Sequence, residues 1–276
     1  MVLEYLINSK RAERKPWEMF FMGLIYPSVA IILSLWVFKN YVSFTMIGLT
    51  TIATVPLIYN SIKREEKKDI LIKQERLRLR EHSKVLSYFI FLFLGSIVAF
   101  TLWYVYSPPH QIQNIFGLQE ETINNFDKNL LGDGIGNYIN PNEFLGKIFL
   151  NNLKVLLFCL VFSLFFGAGA IYILTLNASI IGTAIGMFIK NNLSYGFLGV
   201  FSIGLLRYLT HGIFEIIGYF LGGLAGGIIS VAIIRHDFMG RNFKIIIEDS
   251  KDLILFALLF LFLGALVEVY VTPIFY

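Results

Sequence analysis

His211 and Glu215, one helical turn apart in RYLTHGIFEIIGYFLGGLAGG (207–227), are the residues whose types and spacing could do chemistry. Arg207 stands one turn earlier, so the three line one helix face, which Gly218, Gly222 and Gly226 continue. An imidazole beside a carboxylate can bind a proton or cation, or supply two ligands to a metal. Two are fewer than the three protein ligands usual for catalytic zinc, and Glu268 would be needed as a third. Neither a His-Glu-x-x-His pair nor a Gly-x-Ser-x-Gly elbow occurs in the chain. The residue inventory therefore predicts no catalytic residues, no metal and no cofactor.

The element that carries these residues is otherwise apolar, and so is most of the chain. Of 276 residues 56% are hydrophobic, 16% aromatic and 15% charged, against about a quarter charged in soluble domains. Met19 to Phe38, Tyr41 to Ile62, Val85 to Tyr106, Val155 to Ile189, Ile216 to Ile234 and Leu253 to Val267 hold no charge. About 20 apolar residues suffice to cross a bilayer core. The expected fold is all-α, a polytopic transmembrane bundle of about seven spans plus a short re-entrant or half-length helix. Met1 to Lys15 is polar and charged, which predicts a first span that stays in the membrane and no cleaved leader. The single cysteine, Cys159, lies in an uncharged run and excludes disulfides within the chain.

Charge orients the spans. The net charge is only +4, but Lys63 to Lys84 holds nine Lys/Arg against five acids, whereas Ser107 to Gly146 holds one Lys against five acids. The positive-inside rule places the first segment and the N-terminus in the cytoplasm and the second outside. The basic segment reads as a solvated helix against anionic lipid, and nucleic acid is not an expected partner. Three parts follow: an N-terminal hairpin (1–62) with kinks at Pro27 and Pro56, a cytoplasmic basic helix (63–84), and a five-span core (85–276) with an extracytoplasmic loop (107–146). Phe116, Leu118, Phe126, Leu130, Leu131 and Phe144 favour order in that loop. In the core, Phe149 to Leu176 is expected to run inward and turn at Asn177, with Ala178 to Ile189 starting outward. Leu193 to Leu206 is read as re-entrant or as extending that preceding helix, which keeps the basic segment Arg235 to Lys251 inside. Tyr208 to Ile234 then runs inward, and Leu253 to Val271 outward to an extracytoplasmic C-terminus.

This arrangement brings Asn151, Lys154, His211, Glu215 and Glu268 to the outer leaflet as a polar intramembrane cluster, with Arg207 at its edge. Lys154, about 10 Å deeper than Lys147 along a helix, would pair with Glu215 or Glu268 to remove a costly isolated charge. A ligand or transported-ion site is the competing use of the same residues. Gly182 and Gly186, with Gly218, Gly222 and Gly226, mark helix-packing faces. A glycine face left unfilled within one chain would favour homo-oligomers.

At these residues the chain resembles the stage II sporulation protein M family of integral membrane proteins. Three blocks carry the resemblance. They are NNLKVLLFCLVFSLFFGAG from Asn151 with LNASIIGTAIG from Leu176, THGIFEIIGYFLGGLAGG from Thr210, and LVEVYVTP from Leu266. Thr210 stands where the family has proline, and Ala178 where it often has glycine. The resemblance covers about Ser87 to Pro273 and leaves the first hairpin outside. It implies a five-span core, weight on His211, Glu215 and Glu268, and a membrane-organising role. In spore formers the family works with peptidoglycan-degrading proteins, but it also occurs in cells without spores or that wall. The expected function is a non-enzymatic scaffold in the cell membrane, recruiting membrane or extracytoplasmic protein partners through the outer loop and glycine-rich helix faces. The alternative is a transporter or channel for a small ion or solute through the buried Glu/His/Lys cluster.

Overall fold

Lys39 and Asn40 separate the first two apolar runs, and the chain reverses there. In the computed structural model, which describes residues 15–71, 75–131, 140–166, 169–192, 197–234 and 241–275, α1 spans Glu18–Val37 and α2 Val42–Leu71. The Tyr41 carbonyl accepts the Phe44 and Thr45 amides at 3.2 and 2.9 Å and so starts α2. Both helices run through their prolines, Pro27 and Pro56. Residues 63–71 of the basic segment continue α2, and residues 75–84 begin α3 (Glu75–Tyr106).

Proline at the first helical position, where its missing N–H is harmless, begins both α4 (Pro109–Leu131) and α5 (Pro141–Phe166). Asn140 caps α5, its side-chain oxygen accepting the Asn142 amide at 3.1 Å. Among the described residues, the segment between α3 and α5 is thus largely helix. Ile112, Ile115 and Phe116 of α4 are buried against the bundle, Leu118 is exposed, and Phe144 packs beside Ile148. The side chains of Phe126, Leu130 and Leu131 lie outside the described residues.

Two boundaries differ from those expected. Helix α6 is Ala170–Asn191, so Asn177 lies inside it and the chain turns earlier, near Gly169. A Cβ at Gly169 would collide with the Phe162 carbonyl, so the return is too tight for a side chain. Ser163 of α5 accepts the Ala170 amide at 3.2 Å, giving the first turn of α6 an acceptor. The second difference is α7, Phe197–Ile234, one helix of 38 residues. Residues 197–206 extend the following span at its N-terminal end; they are neither re-entrant nor part of the preceding helix. Helix α8 is Arg241–Tyr270, followed by a 3-10 turn at Thr272–Phe275.

Seven helices are long and apolar enough to cross a membrane: 18–37, 42–64, 82–106, 141–165, 170–191, 208–234 and 243–270. Among the described residues every element is helical, so the fold is an all-α polytopic bundle. Side-chain bonds show which helix ends share a side. Lys190 at the end of α6 donates to the Ser107 carbonyl after α3 at 3.0 Å, and Ser43 at the start of α2 donates to the Ile115 carbonyl of α4 at 2.9 Å. At the other end, His82 of α3 and Asp249 of α8, each 3% exposed, meet at 2.8 Å between Nε2 and Oδ2.

Helix α7 is the axis. Of its membrane window 83% is buried, against 28% for α5 and α8, and it contacts α8, α5, α6, α2 and α3. Phe220 stacks on Phe89 of α3 at 5.2 Å and meets Phe93 edge-on at 5.9 Å. The N-terminal hairpin packs against the other helices. Helix α1 packs along α3, where Gly23 and Gly95 let the backbones touch, while α2 contacts α4, α6, α7 and α8. Trp36, Phe21, Ile52, Leu157 and Leu259 stay exposed around the perimeter, as lipid-facing residues must.

Candidate functional site

The periodicity of α5 selects which polar residue enters the bundle. Ile148, Asn152, Leu156, Cys159 and Ser163, spaced by three or four, are the buried face. Asn152 is therefore the residue turned toward α7, and its side-chain amide donates to Glu215 Oε1 at 2.5 Å. Glu268 of α8 faces the same site, near enough to Glu215 for the two side chains to interact electrostatically. Tyr219, one turn beyond Glu215, and Cys159 close the deep side, 1% and 0% exposed.

Nearer the surface, His211 Nδ1 lies 3.2 Å from Thr272 Oγ1, and Thr272 in turn donates to the Val267 carbonyl at 3.2 Å. The 3-10 turn after α8 thus folds back to hold the imidazole. Gly264 makes this possible, because a Cβ there would press on the Glu215 side chain at 3.2 Å and on Phe214 at 3.3 Å. Helices α5, α7 and α8 together build a half-buried polar site of His211, Thr272, Asn152, Glu215 and Glu268.

The structure places His211, Glu215 and Glu268 at this site and Lys154 away from it. Lys154 is exposed, and among the described residues it forms no ion pair. Two residues beyond Asn152, it is rotated away from the buried face, so the expected salt bridge to Glu215 or Glu268 is absent. Asn151 is partly buried, and its neighbour Asn152 is the asparagine that meets Glu215. Asn152 and Thr272 were missed. The period of Ile148, Leu156 and Cys159 could have found the first; nothing local marks the second, which a chain reversal brings back. The Arg207 side chain lies outside the described residues. Among the described residues no three His, Cys, Asp or Glu converge as metal ligands, and no base forms an ion pair with Glu215 or Glu268.

The glycine faces are filled by the chain's own helices. A Cβ at Gly218 would meet Leu261 of α8, one at Gly222 would meet Leu156 of α5, and one at Gly226 would lie 2.6 Å from the Leu160 carbonyl of α5. Gly182 and Gly186 receive Phe100 and Tyr104 of α3 in the same way. These residues are internal packing sites, and the unfilled glycine face that would favour oligomers is not present at them.

No solved structure matches the chain. An uncharacterized protein of Methanocaldococcus jannaschii is 29% identical over 156 residues, covering 55% of this chain and 84% of that protein. The stage II sporulation protein M profile matches residues 87–273, a segment that holds every residue of the polar site, and the chain is a multi-pass membrane protein belonging to that family.

Proposed function

We propose that the protein is a non-enzymatic membrane scaffold whose outer helix, α4, recruits a membrane or extracytoplasmic protein partner. The observation that carries this reading is the way α4 is fixed. Ser43 donates to its backbone, Tyr104 of α3 donates to Glu120 Oε1 at 2.6 Å, and Gln119 donates to Ser179 of α6 at 3.1 Å. Three helices hold α4 on one end of a bundle whose crossings at Gly23, Gly95 and Gly226 bring backbone against backbone. A helix held at three points, with Gln113, Asn114, Glu121 and Asn124 exposed, presents a surface without needing to move. Recruitment falls to this helix alone, since the glycine faces are occupied. The nine Lys/Arg of 63–84 favour a cytoplasmic N-terminus, α4 outside and an extracytoplasmic C-terminus in the cell membrane.

The test is site-specific photo-crosslinking from Glu121 and Asn124 in cells, with Lys251 as a control at the opposite end. A discrete adduct from the first two and none from Lys251 is the expected result. No adduct from α4 would remove the reading.

A second reading rests on Glu215 and Glu268. Two carboxylates held together beside an amide donor attract a cation, which is the chemistry of a small-ion transporter or channel. Proteoliposome flux of protons, sodium or potassium that disappears in Glu215→Gln would favour it over the scaffold.

A further inference from the structure

Helix α4 has a second face. Ile112, Ile115, Phe116 and Gln119 enter the bundle, while Gln113, Gly117, Glu121 and Asn124 line a groove of about 650 Å³ against the α1–α2 turn. Asn40, Tyr41, Ser43 and Phe44 form the facing wall. The volume lies within the range of small-molecule pockets.

The lining specifies the ligand chemistry. Five side-chain amides line it, each offering both donors and an acceptor, and two carboxylates add acceptors, one oxygen of Glu120 already receiving the Tyr104 hydroxyl. Among the described residues no Lys, Arg or His lines the groove, which disfavours phosphate and other anions. Tyr41 and Phe44, 71% and 59% exposed, stand at its rim, Phe44 in a T-shaped contact with Tyr172 at 6.4 Å. Hydroxyl groups that both donate and accept, on a ring whose C–H faces lie against aromatics, match this wall.

A Cβ at Gly117 would meet only the Gln113 side chain, 3.0 Å away, so the α4 wall of the groove is open at this position.

We infer that the groove between α4 and the α1–α2 turn binds a sugar, either free or as the headgroup of a membrane glycolipid. The inference goes beyond the scaffold reading, and its test uses neither a protein partner nor a membrane orientation.

The purified protein in phosphatidylcholine nanodiscs is tested in two arms. Cellobiose is added and saturation-transfer NMR reads its ring protons; separately, diglucosyl diacylglycerol is included at low fraction and native mass spectrometry reads the retained lipid. Binding in the first arm identifies a free sugar, and binding in the second alone a glycolipid; either supports the inference. Gly117→Leu, which fills the groove, and Asn124→Ala, an exposed change that leaves the fold intact, should each weaken binding about tenfold or more with the parent melting temperature retained. No binding in either arm, or binding that neither variant changes, overturns the inference.

Discussion

Asn152 of α5 donates its side-chain amide to Glu215 of α7 at 2.5 Å, and this bond, not a lysine, satisfies the carboxylate inside the bundle. A hydrogen bond to a charged or strongly polar group in a low-dielectric setting contributes more than a neutral surface bond, and losing one partner leaves the other unsatisfied. Asn152→Ala is therefore expected to destabilise the protein by about 1–3 kcal/mol. Glu215→Gln in the same background should cost much less than it does alone, and Lys154→Met should stay within about 0.5 kcal/mol of the parent. Unfolding in detergent, arranged as a double-mutant cycle, checks all three; coupling of Glu215 to Lys154 instead of Asn152 would contradict the geometry.

Gly226 and Gly222 lie one turn apart on the same face, yet they should respond differently to alanine. At Gly226 the obstacle is the Leu160 carbonyl, a backbone atom, whereas at Gly222 it is the mobile tip of Leu156. Gly226→Ala is expected to cost about 1–3 kcal/mol by forcing α5 from α7, and Gly222→Ala clearly less. Gly212→Ala, with nothing within 4 Å of the added atom, serves as the control and should be neutral or slightly stabilising. Melting temperatures of the three variants in one detergent decide the order.

His82 and Asp249 join α3 to α8 at the end opposite the polar site. Both are nearly fully buried, so Asp249→Ala should cost about 1–3 kcal/mol through the buried bond it removes, while Asp249→Asn, which can still bond, should lose less. Equal losses for the two variants, measured by thermal unfolding, would show that the contact adds nothing to the packing around it.

Cysteine labelling checks the orientation. Cys159 is buried and is replaced by serine, after which single cysteines at Glu121 and at Lys251, both exposed positions, are treated with a membrane-impermeant maleimide. Glu121→Cys should label on intact cells and Lys251→Cys only after permeabilisation. Labelling of Lys251→Cys from outside would invert the bundle or change its number of crossings.

What could be read from the residues alone was local. Hydropathy over runs such as Val85 to Tyr106 determined that the elements are membrane-length helices, and the 3.6-residue period placed His211 and Glu215 on one face. Pro109 and Pro141 stand at the first positions of α4 and α5, where proline's constraint on its own backbone suits a helix start. Only the tertiary structure decided what that face meets. Choosing Asn152 over Asn151 or Lys154 depends on rotation of α5 about its axis, at about 100° per residue, and neighbouring helices set that rotation. Placing the reversal near Gly169 and not at Asn177 depended on a close approach to the Phe162 carbonyl that no residue type announces. Thr272 reaches His211 across 61 residues because a 3-10 turn returns over the end of α8. Such contacts are formed between helices, where period and composition carry no information about the partner.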